Sequence, residues 1–246
     1  SITQTGTQIL QGQKWEVDKA SGQLILNDQV KILTDMTFTN GVVSTSSGNE
    51  LYFSNTTSTA TGASNSSYVN GPVIKRFASA GSFIYPVGDS AFYAPITASA
   101  VSASNTEFTA EYFNSDPKLT YGESYEVGID HISNAEYWTL DRTSGLGNAK
   151  VTLSWKDERH GVGGVTDMPT LQLTRYNGTD WVEHASSTSG SNADGTIITD
   201  AVVTSFSPFA LATSTPLNPL PIELLFFNAD LIKNSTVNLS WSTASE

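Results

Sequence analysis

Three histidines, 24 acidic residues and no cysteine bound the chemistry open to this chain of 246 residues. Each histidine has an acid close by: Asp130 precedes His131, Glu158 and Arg159 precede His160, and Glu183 precedes His184. An acid beside a histidine is raw material for general base catalysis. Adjacent residues on a strand project to opposite faces, however, so no dyad is expected from these neighbours. Three scattered histidines also make a poor three-histidine zinc site. Without cysteine there is no disulfide, no thiolate metal site and no sulfur nucleophile. No Gly-x-Ser-x-Gly, phosphate-loop or dinucleotide fingerprint occurs, and the "GVGG" at 161–164 lacks a strand-to-helix setting. These residues predict no enzyme and no catalytic group.

Binding chemistry has better candidates. Asp157, Glu158 and Asp167 flank the glycine-rich loop "KDERHGVGGV", and Asp180, Asp194 and Asp200 lie in later turns. Calcium takes six to eight oxygens, which converging loops can supply, so the first three are candidate ligands and calcium the one candidate cofactor. The chain has no Asp-x-Asp-x-Asp run, and the same residues also fit ordinary solvated turns. Trp155, Trp181 and Tyr176 are candidates for a sugar platform, in which aromatic faces stack on a pyranose ring. Trp138 in "EYWTL" and Trp241 in "LSW" fit core positions better, because large aromatics dominate sandwich cores. A core position is the competing reading for Trp181 as well.

Composition narrows the partners. A net charge of −12 opposes nucleic-acid binding, which needs a basic face to neutralise phosphates. No run of 18 apolar residues exists, so no membrane insertion is expected. Ser1 opens directly into polar sequence, which reads as a mature or truncated product. A hydrophobic share of 38%, with much Ser, Thr, Gly and Asn, suits short strands and many turns.

The elements that must position these residues follow from the apolar spacing. Up to residue 75, "LIL" at 24–26, "VKI" at 30–32, "MTF" at 36–38, "GVV" at 41–43 and "LYF" at 51–53 recur at close intervals. Each is too short for a helix and alternates with period two. Such runs predict a short β-solenoid over 1–75, with an antiparallel meander as the alternative. Over 76–214 the runs lengthen: "SFIYPVGD", "APITASAVSA", "EFTAEYF", "AEYWTLDR", "AKVTLSW", "LQLTRYN", "DWVEHA", "GTIITDAVV" and "SPFALAT". Nine strands so spaced predict a two-sheet antiparallel β-sandwich, with Val151, Leu153 and Trp155 on one face. Asn177-Gly178 marks a hairpin. The "GPVIKR" at 71–76 reads as the joint, its Lys75 and Arg76 as solubilising or pairing charges. "STPLNPLP" at 214–221 reads as an extended linker. Within 215–246, "TVNLSWSTASE" turns Val237, Leu239 and Trp241 to one side, like an early strand of a truncated immunoglobulin-like module.

"SSYVNGPVIKR", "GSFIYPVGDSAFYAPITAS", "EYWTLDR" and "SPFALAT", in that order, resemble modules of large secreted proteins of Bacteroidetes. The tail "PLPIELLFFNADLIKNSTVNLSWSTASE" is similar to the segment before the sorting domain in substrates of the type IX secretion system. The resemblance spans about residues 66–246. It implies a secreted or cell-surface protein whose partner in transit is that secretion machinery. It also implies that Ser90, in "GDSA", matches a short acceptor pattern for O-glycosylation. The function expected is a non-catalytic structural, display or adhesion module, with a surface glycan or protein as possible ligand. The alternatives are a carbohydrate-binding module and an accessory fragment of a larger polysaccharide-degrading enzyme.

Overall fold

A computed structural model describes residues 10–160, 164–218, 224–233 and 236–243. The fold is the all-β one expected, a short solenoid followed by antiparallel sheets packed as a sandwich. Strand Leu10–Ile25 stacks parallel on Val30–Ser44, which stacks in turn on Leu51–Phe53, Thr59–Thr61 and Val69–Asn70. Parallel pairing excludes the meander. Period-two alternation drives Val30, Ile32, Met36, Phe38 and Val43 into the coil interior, where Leu51, Phe53 and Val69 meet them. Backbone pairing between coils carries the short elements, none of which could bury a core by itself.

The last coil becomes the sandwich without a break. Strand Val73–Phe77 pairs parallel with Leu51–Phe53 on one side and antiparallel with Thr106–Phe113 on the other. The expected boundary at 75/76 falls inside that strand. The sheet then continues through Tyr137–Ser144, Phe209–Thr213, Leu171–Tyr176 and Trp181–His184. Gly71 turns the chain into the shared strand at φ +118°, and a Cβ there would stand 2.4 Å from the Thr45 carbonyl oxygen. Only glycine makes that approach.

The second sheet runs Ser186–Gly190, Asp194–Thr199, Lys150–Lys156, Ile96–Ser99 and Phe83–Tyr85, all antiparallel. Val151, Leu153 and Trp155 face inward from it, against Phe108, Leu140 and Trp138 of the large sheet. All nine expected runs contain a strand. The Ser186–Gly190 edge was not expected, because "SSTSG" carries no apolar alternation. Among the described residues, helix is confined to the single turns Lys118–Tyr121 and Asp157–His160 and a 3₁₀ turn at Met168–Thr170.

Strands Leu224–Lys233 and Thr236–Thr243 form a separate hairpin. Its register sets Phe227 opposite Trp241 and Ala229 opposite Leu239. Val237, Leu239 and Trp241 share a face, as expected, but that face is exposed to solvent rather than turned into a core. Of the motifs singled out in the sequence, residues 1–9, Gly161–Gly163, "PLPIE" at 219–223 and "ASE" at 244–246 lie outside the described residues.

Candidate functional site

The joint between the coils and the sandwich holds an unusual arrangement. Lys75 alternates inward between Val73 and Phe77 and is fully buried. It is therefore neither a solubilising charge nor half of a surface pair, because the inward position of the shared strand leaves it no water. Among the described residues no carboxylate forms an ion pair with it. Its Nζ donates to the carbonyls of Asn55, Thr56 and Ser58 at 2.7, 3.2 and 2.8 Å, and to Ser58 Oγ at 3.0 Å. The ring of Phe83, from the second sheet, lies 5.2 Å from the ammonium, within cation–π range. Burial pushes the lysine down to about 8, while the surrounding oxygens favour the ammonium. The Asn55–Ser58 loop thus closes on a charge supplied by the shared strand. Asn55 Nδ2 also reaches back to the Leu33 carbonyl of the preceding coil. Arg76, one residue on, points outward and donates to Asn105 Oδ1 at 2.8 Å.

A second buried charge pins the far side of the sandwich. Arg159 Nε lies 3.0 Å from Glu136 Oε2, with both side chains fully buried. Tyr112 donates to the same Glu136 oxygen at 2.8 Å, and the guanidinium also donates to the carbonyls of Tyr93 and Ser154. The guanidinium stands 5.9 Å from the Trp138 ring. Nothing in the residue pattern singles out Glu136, which lies just before strand Tyr137–Ser144, and for Lys75 the alternation of its strand predicts burial but not its partner.

The sugar-platform candidates separate. Trp155 and Trp181 are fully buried and expose no ring face. Trp155 Nε1 donates to the carbonyls of Ser191 and Asn192, and Trp181 Nε1 to Gly122, so both indoles are anchored core groups. Trp181 belongs to a small second core on the outer face of the large sheet, with Tyr137 and Ile132. Tyr176, half-buried, packs there at 5.5 Å from Trp181 and 5.5 Å from Tyr121. A three-ring platform is therefore not formed. The cluster instead fastens the 114–130 loop to the sheet.

The calcium candidates also diverge. Among the described residues no group of three or more His, Asp or Glu side chains is gathered for a metal. Lys156 places its ammonium 3.9 Å from both Glu158 and Asp194, across an open depression of about 230 Å³. Glu158 also accepts from Asn65 Nδ2 at 2.9 Å. A cation is thus already supplied by the chain where Asp157 and Glu158 stand. Asp167 instead faces the linker, its backbone N–H donating to Asn218 Oδ1 at 2.7 Å. Ser90 sits exposed at the tip of the hairpin formed by Gly88–Asp89 and Phe92–Tyr93, its hydroxyl 3.1 Å from Asp89 Oδ1.

One histidine departs from expectation. Asp130 Oδ1 lies 2.8 Å from Nδ1 of the adjacent His131. Asp130 precedes the short strand His131–Ile132 rather than lying within it, so strand alternation does not separate the two. Glu183 and His184, both within Trp181–His184, do obey it: Glu183 is exposed, and burial lowers the pKa of the inward His184.

Against known proteins, the chain matches no family model and no curated protein matches it.

Proposed function

We propose that the chain is a non-catalytic structural module that spaces or displays other parts of a secreted or cell-surface protein. The observation that carries this reading is the shared strand Val73–Phe77, which makes one sheet of the solenoid and half of the sandwich. A hinge at that point would have to break two ladders of backbone hydrogen bonds and expose Lys75. A spacer works by transmitting position, and a joint of this kind cannot bend without unfolding. The type IX secretion machinery is the proposed export partner, on the resemblance of the 66–246 motifs and the tail.

Two measurements test this. Urea unfolding followed by tryptophan fluorescence and by circular dichroism should give one coincident transition for the solenoid and sandwich together. Separate melting of the coils would sink the spacer reading. Antibody labelling of intact producing cells should reach the protein, and confinement to the cytoplasm would overturn the proposed export.

A further inference from the structure

The first coil leaves part of its interior unfilled. Gly12 stands opposite Ile32 in the ladder and brings no side chain to that inward place. The Trp15 indole folds back over it, so that a Cβ on Gly12 would stand 2.4 Å from Trp15 Nε1. Farther along, Val17 pairs with Phe38 and Leu24 with Val43, but residues 18–23 between them are all exposed and send nothing apolar inward. The coil interior holds a cavity of about 120 Å³ whose walls include Val17, Leu26, Ile32, Met36 and Val43, all buried. Trp15 and Leu24, both half-buried, are its solvent-facing members. Glu16 also borders it, but its side chain alternates outward, where the carboxylate accepts from Thr39 Oγ1 at 2.7 Å.

We propose that this cavity is a binding site for a small monocyclic aromatic molecule, a benzene ring carrying at most a small apolar substituent. Size is the first reason. An apolar cavity of about 150 Å³ stays dry and takes up benzene, and this one is only slightly smaller. Water is a poor occupant. A buried water needs about two to four polar partners, whereas the lining side chains offer one, the Trp15 N–H, once Glu16 is turned away. Charged guests are excluded because no counter-charge faces the interior. The walls then select among apolar guests. Met36 brings a polarisable thioether and Trp15 an indole face, and both favour an aromatic ring over an aliphatic one of equal size. The remaining contacts are aliphatic and non-directional, so the guest is chosen by volume rather than by hydrogen bonds. Entry lies past Trp15 and Leu24. Their strand, Leu10–Ile25, is the last of its sheet, so among the described residues no further coil covers it. A bound ring would supply packing that the first coil lacks, and binding would stabilise the open end of the solenoid.

Toluene is the probe, and the tryptophans are the reporters. The full chain, labelled with nitrogen-15, gives five indole N–H signals, and Trp15→Phe identifies the one from Trp15. Trp15 Nε1 has no hydrogen-bond partner to fix its shift, so a ring settling beside it is readily seen. Titrated with toluene up to its solubility, the Trp15 signal should move along a saturable curve. The indoles of Trp138, Trp155 and Trp181, each bonded to a carbonyl elsewhere, should stay in place. Trp241, exposed on the hairpin, reports loose association. Val43→Phe puts a ring into the cavity and should weaken toluene binding about 10-fold or more. Cyclohexane should bind about 3-fold more weakly than toluene, for want of the sulfur and indole contacts. Mesitylene, the same ring with three methyl groups, is too broad and should leave the Trp15 signal unmoved. A Trp15 signal that stays still, or drifts in step with Trp241 without saturating, would overturn the proposal. So would mesitylene or cyclohexane binding as tightly as toluene, or a folded Val43→Phe that binds toluene as the wild type does. Should Val43→Phe fail to fold, the mesitylene and Trp241 comparisons decide.

Discussion

Replacing Lys75 with methionine isolates the charge at the joint, because methionine fills most of the space of the lysine stem. Four donor contacts vanish. Their loss is unequal. The Asn55 carbonyl keeps two donors from Ser58, at 3.1 Å from N and 2.7 Å from Oγ, and Thr56 is exposed to water. The Ser58 carbonyl is the acceptor left in a buried residue, and an orphaned buried acceptor costs about 1–3 kcal/mol. Desolvation of the ammonium, visible in a pKa lowered from 10.5 to about 8, offsets part of the lost charge-assisted bonding. A net loss of about 2 kcal/mol at pH 7 follows from these terms. The pH dependence sharpens the test. A pKa lower in the folded state means that the unfolded chain binds more protons between about 8 and 10.5, so wild-type stability gains from this group as pH rises through that window. Methionine has no such term, so the wild type should pull ahead by about 2 kcal/mol more between pH 7 and 10. Urea midpoints of both proteins at the two pH values measure this directly, since every other titrating group cancels in the difference. Coincident midpoints at pH 7 would refute the cage, and a gap that stays constant or narrows with pH would refute the buried-ammonium reasoning.

Glu136→Gln keeps the shape of its side chain but leaves the Arg159 guanidinium buried without a counter-charge, which should cost about 3–5 kcal/mol in urea unfolding; a loss under about 1 kcal/mol would show the pair to be dispensable. Glu111 is pushed up to about 7 by burial and by the nearby Asp89. A raised carboxyl stabilises the fold below its unfolded value and loses that contribution as pH rises through the folded one. Glu111→Gln should therefore gain on wild type between pH 5 and 7.5 in thermal melts, and parallel pH profiles would exclude the effect.

Alternation made the architecture legible where one face of a strand is buried. "VTLSW" placed Val151, Leu153 and Trp155 correctly, and the close-spaced triplets before residue 75 identified coils, because a period of two survives even in three-residue strands. The aromatic candidates failed for a related reason. Residue type cannot say whether the outer face of a strand is bare or roofed, and Trp181 lies under a loop whose own strand content is a single bridge at Tyr125. The polar devices were illegible because their partners come from far along the chain. Lys75 meets residues 55–58, Glu136 meets Arg159, and Asn218 meets 166–170 and His131. No local spacing encodes such pairs. The Asp130–His131 contact escaped through an assumption about strand geometry that a loop residue does not obey.

Two of these buried polar groups fall where the chain changes from one mode of pairing to another. Lys75 stands where parallel coils give way to antiparallel sheet, and Asn218 where the sandwich gives way to the linker. Apolar packing is non-directional and tolerates small slips, whereas a desolvated ammonium or amide is stable only with all its partners in place. A one-residue shift of Val73–Phe77 would turn Lys75 out and Arg76 in, with no oxygens arranged for a guanidinium. The register of the shared strand is therefore fixed by what would be left unpaired in any other, and the pairing of the coils with the sandwich is fixed with it.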